Sequence, residues 1–358
     1  MKKLIALLVL TITLLCVLPS CGCSSKGIEF TINDDNKSVS VTGFDTSYKE
    51  DLIIPDTFIG LPVTSIGATA FYRCTGLTSI VIPDSVTSIG YGAFSGCTSL
   101  TSIVIPDSVT SIDDEAFLGC TGLTSIVIPD SVTSIGDNAF EGCTSLTSVV
   151  IPDSVETIGD GTFALCSNLS KITLGESLRA IGGSAFGNCT GLTSVVIPDS
   201  VTSIGDYAFS DCTGLTSIVI PDSVTSIGDS AFYRCTSLKG VYITDIDAWC
   251  NISFGDSMSN PMYCGENLHL NGNLVTEVTI SDNVNSIKPY TFYGCTGLTS
   301  VVIGNSVTSI GSSAFHGCTG LKDVYYTGSE AEWKAITIGS SNYNLTTATI
   351  HYNYVPEN

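Results

Sequence analysis

The sequence predicts a β-rich solenoid, a right-handed parallel array of short coils with short helical turns and capping units. Three observations support this fold class: a 23-residue period, an apolar pattern repeated in every period, and 43% hydrophobic residues together with 35 Gly among 358 residues. Units of this size cannot bury their apolar side chains alone and become stable by stacking. The period is clearest in ten cysteines, which fall at intervals of 23 in two blocks: Cys74, Cys97, Cys120, Cys143, Cys166, Cys189, Cys212 and Cys235, then Cys295 and Cys318.

The coil around Cys143 shows how each period begins. Ile126 and Ile128 face one side and Val127 the other, which is the alternation of a β-strand. Pro129 cannot donate a hydrogen bond to a strand ladder, so the strand should end there in a turn with Asp130. The main strand of the coil is therefore predicted to be short.

The second half of the same coil predicts a corner. Val132 and Ile135 form another short extended stretch, and Gly136 permits a tight bend. Residues 137–140 are expected to form a helical turn that points Phe140 into the core. One coil thus contributes two strands and one turn.

The repeated motif resembles a known family. A period of 20–29 residues with a Leu-x-x-Ile-x-Ile core is typical of leucine-rich repeats. The form IPxxVTxIGxxAFxxCxxL resembles the BspA-like repeats of bacterial surface proteins over about residues 50–325. This resemblance implies a leucine-rich-repeat array and adhesion to host matrix proteins or to other bacteria.

The first residues resemble a lipoprotein signal. Residues 1–20 combine a basic start with an apolar run too short to span a bilayer comfortably. Leu18-Pro19-Ser20-Cys21 resembles a lipobox, although Pro19 is atypical for that motif. We expect a signal peptide over 1–20, lipidation at Cys21 and a tether over 21–27; ordinary signal-peptidase cleavage is the main alternative. The protein should be an extracytoplasmic lipoprotein at a bacterial cell surface or membrane, or else be secreted.

The remaining chain divides at breaks in the period. We predict an N-terminal β cap with the first coils over 28–65, repeats over 66–240, a diverged helix-containing unit over 241–283, repeats over 284–323 and a C-terminal cap over 324–358. Trp249 lies six residues before Gly255, and Trp333 lies six residues before Gly339, so the diverged unit resembles the cap. Ser329 has the spacing of a capping box and should start a short helix.

The charge balance excludes some partners. Thirty-four acidic against 13 basic residues give a net charge of −21. Phosphates of nucleic acids and anionic lipid surfaces would be repelled. A lipid at Cys21 would therefore be the only link to a membrane.

The lattice cysteines predict buried free thiols. Equivalent side chains of stacked coils point in parallel, whereas a disulfide needs converging Cβ vectors. No His accompanies the Cys and no CxxC pair occurs, so neither a metal site nor a cofactor is expected. Cys250 and Cys264 lie off the 23-residue spacing of the other cysteines, and they could form one disulfide or remain two unpaired core thiols.

No residue pattern supports catalysis, and we expect no enzyme. His269, His316 and His351 sit at unrelated positions of the repeat. Two columns of Asp, which follow Pro or Gly, offer oxygen ligands for Ca²⁺, but Asp is equally suited to turns and caps.

Two surfaces are candidates for binding. The positions on either side of the repeated Ala-Phe pair vary freely, and the Tyr and Arg found there are residue types enriched at interface hot spots. The alternative is that this variation is sequence drift on a solvent-exposed corner without a binding role. The outer face of the main strand carries a column of Val, and an exposed apolar stripe tends to mark an interaction site. The candidate residues are Tyr72, Arg73, Tyr233, Arg234 and Tyr293 at the corner, and Val104, Val127 and Val150 on the strand face.

These observations predict a non-enzymatic, adhesin-like surface protein. Its extended repeat surface would bind an extracellular host matrix protein, a glycan or another cell. A structural, self-assembling surface component is the alternative. Ice binding is a minor alternative, suggested by the regular column of Thr87, Thr110, Thr133, Thr202 and Thr225.

Overall fold

The computed structural model describes residues 27–45, 51–265 and 267–356. Within them the chain winds as a parallel β-solenoid whose coils are 23 residues long in the regular blocks. Each regular coil contributes one strand to each of two sheets and closes with a run of turns. The predicted fold class is confirmed. The proposed signal peptide, Cys21 and most of the tether lie outside the described residues.

The first sheet, the Ser-Ile sheet, is built of two-residue strands. Each strand except the last, where Ile338 is half-buried, buries its second residue. Neighbouring strands pair in parallel register, as Ile135 does with Ile112 and Ile158. The strands are Ser88–Ile89, Ser111–Ile112, Ser134–Ile135, Thr157–Ile158, Ala180–Ile181, Ser203–Ile204, Ser226–Ile227 and Ser253–Phe254, then Ser286–Ile287, Ser309–Ile310 and Thr337–Ile338.

The second sheet, the Val sheet, is built of the longer strands and falls into four hydrogen-bonded groups. Its register also preserves the repeat, because Val127 pairs with Val104. The strands are Leu52–Ile53, Ser79–Val81, Ser102–Val104 and Ser125–Val127; Ser148–Val150 and Lys171–Thr173; Ser194–Val196, Ser217–Val219, Gly240–Ile243, Asn267–Leu270 and the antiparallel Asn273–Leu274; and Glu277–Ile280, Ser300–Ile303, Asp323–Tyr326 and Thr349–His351.

The third side of each coil, the turn side, is not helical. Residues 137–142 form consecutive turns, with Glu141 N–H donating to the Asn138 carbonyl at 3.1 Å. Asn138 and Gly142 have φ of 54° and 68°, and these left-handed residues interrupt any helix. The Phe140 N–H instead donates to Thr162 of the next coil at 2.8 Å. The predicted helical turn is therefore wrong, although Phe140 is buried as expected.

A continuous stack of phenylalanines fills the core. Phe140 lies between Phe117 and Phe163, with ring centroids 5.2 and 5.3 Å apart and planes within 3° of parallel. The stack runs from Phe71 to Phe232 and is repeated between Phe292 and Phe315. Each of these fully buried rings removes a large apolar area from water.

The lattice cysteines are free and buried, as predicted. The Cys143 thiol donates to the Phe117 carbonyl of the preceding coil at 3.3 Å, and seven further lattice thiols make the same bond at 3.0–3.2 Å. Burial raises the pKa of Cys120 and of Cys166 to about 12. These thiols therefore act as small apolar residues with one weak donor.

The two remaining described cysteines are also free thiols, and the structure does not join them. Cys264 points its sulfur towards the Phe232 carbonyl at 3.6 Å, so it takes the lattice position in the diverged unit. Cys250 is buried on a helix instead. The possible disulfide between Cys250 and Cys264 is therefore absent from the structure, because one side chain lies in the thiol column and the other on the helix.

An N-terminal hairpin covers the first coil. Strands Ile28–Ile32 and Val39–Phe44 are antiparallel, and the second of them pairs in parallel with Leu61–Ile66. Thr57–Phe58 pairs in antiparallel fashion with Leu61 and Pro62, the first two residues of Leu61–Ile66. The Phe30 ring stacks on Phe58, with centroids 4.4 Å apart, and so closes the open end of the core.

The diverged unit joins the two blocks of repeats. Helix α1, Ile246–Asn251, buries Trp249, whose indole N–H donates to the Thr291 carbonyl at 2.8 Å. A 3-10 helix, Pro261–Tyr263, follows, and the Asn260 amide beside it also bonds to Thr291 at 3.0 Å. The helix predicted to carry Trp249 is present, and the second block is stacked directly on it.

The C-terminal segment ends the second block. Helix α2, Glu330–Ala335, begins with the predicted capping box between Ser329 and Glu332. Its Trp333 packs edge-on against Tyr326 at 5.2 Å. Helix α3, Tyr343–Thr346, follows. The Asn342 side chain before it accepts from the Phe315 N–H at 2.9 Å and so supplies a hydrogen-bond partner that a further coil would otherwise supply.

The aromatic stack predicts a sharp contrast between two substitutions in one coil. Phe140→Ala should lower the free energy of unfolding by about 3–5 kcal/mol, because a cavity replaces a ring in contact with both neighbours. Val127→Ala, on the exposed side of the same coil, should change it by about 0.5 kcal/mol or less. Urea denaturation followed by circular dichroism measures both. Equal effects would show that the stack does not carry the core.

The thiols predict an order of chemical modification. Among the cysteines that the structure describes, half-buried Cys264 should react first with iodoacetamide at about pH 8, because the others are buried away from the reagent. Burial also raises the pKa of Cys120 and of Cys166 to about 12, so their thiolates are scarce at that pH. Peptide mass spectrometry with and without denaturant reads out each site. Rapid alkylation of the lattice cysteines in the native protein would contradict their burial.

Candidate binding surfaces

A groove of about 1230 Å³ opens on the outside of the solenoid. Its floor is formed by Ser-Ile strands and the glycines after them, over 180–182, 203–205, 226–228 and 253–255. Its walls come from the turn side of the coils between Asn138 and Ser210. The groove therefore runs along the solenoid axis across several coils.

The groove walls are made of the freely varying corner positions. Leu165, Asn188 and Tyr207 line it, and each has a left-handed φ, of 61°, 59° and 56° respectively. Other coils place Gly at the equivalent positions, as at Gly142 and Gly161. A side chain at such a position costs backbone energy that Gly avoids, so the fold does not require these three side chains.

The groove is acidic. Glu141, Asp160, Asp206 and Asp229 line it, and no Lys, Arg or His does. Burial, followed by the nearby carboxylate of Glu115, raises the pKa of Glu141. The groove can therefore offer carboxylate, amide and hydroxyl hydrogen-bond partners to a ligand, but it repels anions.

The Tyr-Arg pairs lie outside this groove. The Arg73 guanidinium sits over the Tyr72 ring at 5.1 Å, and that of Arg234 over Tyr233 at 5.8 Å. Arg234 also pairs with Asp211 of the preceding coil at 3.4 Å. Both arginines have a left-handed φ, near 55° and 59°, as Leu165 has. They share the corner column but not the concavity.

Tyr293 belongs to an aromatic cluster on the second block. Its ring lies 6.2 Å from Tyr263, 6.2 Å from Tyr290 and 5.0 Å from His316. Tyr293 itself is half-buried. The cluster does not line the groove.

The Val column is exposed, as the sequence suggested. Val104 and Val127 retain 76% and 77% of their accessible surface, and Val150 retains 60%. The column is broken at Thr173, where a cavity of about 310 Å³ opens between Lys171 and Val196.

Two histidines occupy equivalent positions, which corrects the sequence interpretation. His269 pairs in register with Tyr242, and His351 with Tyr325, each on the last parallel strand of its Val-sheet group. Their rings stack on those tyrosines at 4.5 and 4.7 Å. The 23-residue spacing does not show that His269 and His351 are equivalent, because the period changes in the diverged unit and in the C-terminal segment.

The Asp column after Gly serves the backbone. Asp137 accepts from the Asp160 N–H of the next coil at 2.7 Å, and Asp206 accepts from Asp229 N–H at 2.7 Å. Among the residues that the structure describes, no group of three or more His, Cys, Asp or Glu side chains could hold a metal ion. Turn chemistry accounts for this column.

Two other observations bear on the remaining alternatives. The Thr column is interrupted by Glu156 and Arg179, which form an ion pair at 3.7 Å in the middle of the face that ice binding would need to be uncharged and regular. Within the described ranges, no helix is long and apolar enough to cross a membrane.

Known proteins share the repeat of this chain. The family description "BspA type Leucine rich repeat region (6 copies)" matches residues 37–168, 133–260 and 262–354. A leucine-rich-repeat protein from Bacteroides ovatus is 29% identical over 93% of this chain and 100% of its own, with a TM-score of 0.58. A leucine-rich cell surface protein from Faecalibacterium prausnitzii is 31% identical over 88% and 97%, with a TM-score of 0.52. A search of curated proteins finds no match.

The family match and the structural likeness agree with the coil geometry. Leucine-rich-repeat solenoids typically mediate protein binding and are generally non-catalytic. The 23-residue period, the buried Phe and Cys columns and the matched ranges together cover the described chain. The chain belongs to the BspA-type leucine-rich-repeat family.

Proposed function

We propose that this protein is a non-enzymatic, extracytoplasmic binding protein that holds an extended ligand in the groove. The observation that carries the proposal is that the walls of the large concavity are built from positions the fold leaves free. Leu165, Asn188 and Tyr207 stand where some other coils hold Gly, as at Gly142 and Gly161, so the fold does not require these side chains. Ligand sites favour such concave surfaces.

The groove chemistry restricts the ligand. Four carboxylates and no base disfavour nucleic acids and acidic glycans. Asn, Ser and Tyr side chains together with carboxylates suit either a neutral glycan or a protein segment with basic or polar side chains. An adhesin-like role towards a host matrix protein or another cell would fit this chemistry and the family resemblance.

Attachment to the cell envelope is part of the proposal. The Leu18-Pro19-Ser20-Cys21 sequence supports lipidation at Cys21, with the short tether holding the solenoid outside the membrane. The cell-surface description of the Faecalibacterium prausnitzii protein supports the same location.

The groove proposal is tested by removing its walls. The triple variant Leu165→Gly, Asn188→Gly, Tyr207→Gly replaces each side chain with the residue that other coils carry at the same position, so folding should be preserved. In a binding screen of matrix proteins, glycans and whole cells, affinity for any ligand found should fall by about tenfold or more. Biolayer interferometry and thermal melting measure binding and stability.

The matched control lies on the same corner column outside the groove. Tyr72→Ser with Arg73→Gly copies Ser95-Gly96 of the next coil and should leave binding unchanged. Loss of binding in this control, with full binding by the wall variant, would move the site to the Tyr-Arg pairs. Concentration-dependent filaments of a protein that binds nothing would favour the structural alternative.

Lipidation is tested separately. Cys21→Ser should move the protein from the membrane fraction to the soluble fraction, because no acyl chain can be attached. Fractionation with immunoblotting and mass measurement of the N-terminus report this. A variant that remains in the membrane fraction with residues 1–20 attached would identify the uncleaved segment as the anchor.

A further inference from the structure

The N-terminal half of the Val sheet carries a second surface with its own chemistry. Val81, Val104, Val127 and Val150 are 52–77% exposed and lie on successive coils. Valines on a sheet face normally pack against another layer. A contiguous apolar row left open on parallel strands tends to mark an interaction site.

A row of carboxylates runs beside these valines. In each coil an Asp follows the valine by three residues, after a buried Ile and a buried Pro, and all of these carboxylates are exposed: Asp84, Asp107, Asp130 and Asp153. Neighbouring coils are spaced by about 4.8 Å, so the acid row repeats at that interval. None of the ion pairs that the described residues form involves the row.

The valine row ends at the next coil, whereas exposed Glu176 continues the acid row there. In the next coil Thr173 replaces the valine, and Lys171 is the first basic residue on the face. The cavity between Lys171 and Val196 interrupts the surface at the same point. Four successive coils therefore carry both an exposed Val and an exposed Asp with no basic residue on the face, and they span about 14 Å from Asp84 to Asp153.

We infer that this four-coil face, valine row and acid row together, binds an extended protein segment that carries basic and apolar side chains. Apolar side chains would cover the valines, while Lys or Arg would reach the acid row beside them. About five extended residues span the distance. A second copy of this chain fits less well, because its surface brings further carboxylates and few bases to the face.

The inference is independent of the groove. Its probe is a synthetic peptide of about twelve residues that alternates Lys and Val, compared with Ser-Val and Glu-Val peptides of the same length. The full chain should bind the Lys-Val peptide more tightly than the Ser-Val peptide and should not bind the Glu-Val peptide. Binding should weaken as NaCl rises from about 50 to about 300 mM.

Two variants test the two rows. Asp84→Asn, Asp107→Asn and Asp130→Asn together should weaken Lys-Val binding by about fivefold or more. Val104→Thr with Val127→Thr, which copies Thr173, should weaken both the Lys-Val and the Ser-Val peptide by about threefold. Isothermal titration calorimetry measures the affinities, and melting confirms that each variant is folded.

The controls separate this face from general charge and from the groove. Glu29→Gln, Asp34→Asn and Glu156→Gln change the net charge equally but lie away from the row, so they should leave binding within about twofold of the original. An equal loss in this control would reduce the effect to overall charge and overturn the inference. Loss of peptide binding in the groove-wall variant would also overturn it while supporting the proposed function. Self-association abolished by Val104→Thr would instead identify the face as an interface between copies.

Discussion

The structure depends on one constraint: each coil must present the same backbone hydrogen-bonding groups at the same height as the coil before it. All three sides obey this rule. Thr133 N–H donates to the Thr110 carbonyl beside the Ser-Ile sheet, and Phe140 N–H donates to Thr162 on the turn side. An insertion of one residue would misalign a whole side and leave buried polar groups unpaired, which is costly. The strict 23-residue interval follows from this.

The same constraint explains why so many polar side chains repeat. Ser131 donates to the Val109 carbonyl at 2.7 Å, Thr133 to Thr110 at 3.3 Å and Cys143 to Phe117 at 3.3 Å. Asp137 accepts from the next coil. Side chains that resemble a catalytic or metal-binding column when read along the sequence are thus committed to neighbouring backbone. A ligand must then contact side chains that are not bonded to a neighbouring coil. Such side chains lie on the walls of the groove, at the corner and on the outer face of the Val sheet.

The two blocks meet where the rule is broken. The diverged unit is longer than a coil, so its backbone cannot match the second block throughout, and side chains replace some backbone partners. The Trp249 indole and the Asn260 amide both bond to Thr291, and Asp247 accepts from the Ser281 N–H at 3.1 Å. At the C-terminus Asn342 performs a similar substitution towards Phe315. The diverged unit and the C-terminal segment therefore act in the same way. In each of them, side chains bond to backbone groups that no matching coil pairs.

The sequence by itself determined the solenoid, its period and the inward direction of Phe140 and Cys143, because a local pattern repeated ten times leaves one way to bury the apolar residues. It also predicted α2 from the spacing of Ser329 and Glu332, since a capping box is local. Only the tertiary structure showed that left-handed residues replace the helical turn, and that Leu165, Asn188 and Tyr207 wall a groove. It alone placed Cys264 in the thiol column and paired His269 with His351 as equivalents. These features depend on hydrogen bonds and packing between neighbouring coils, such as Phe140 N–H to Thr162, which the residues of a single repeat do not encode.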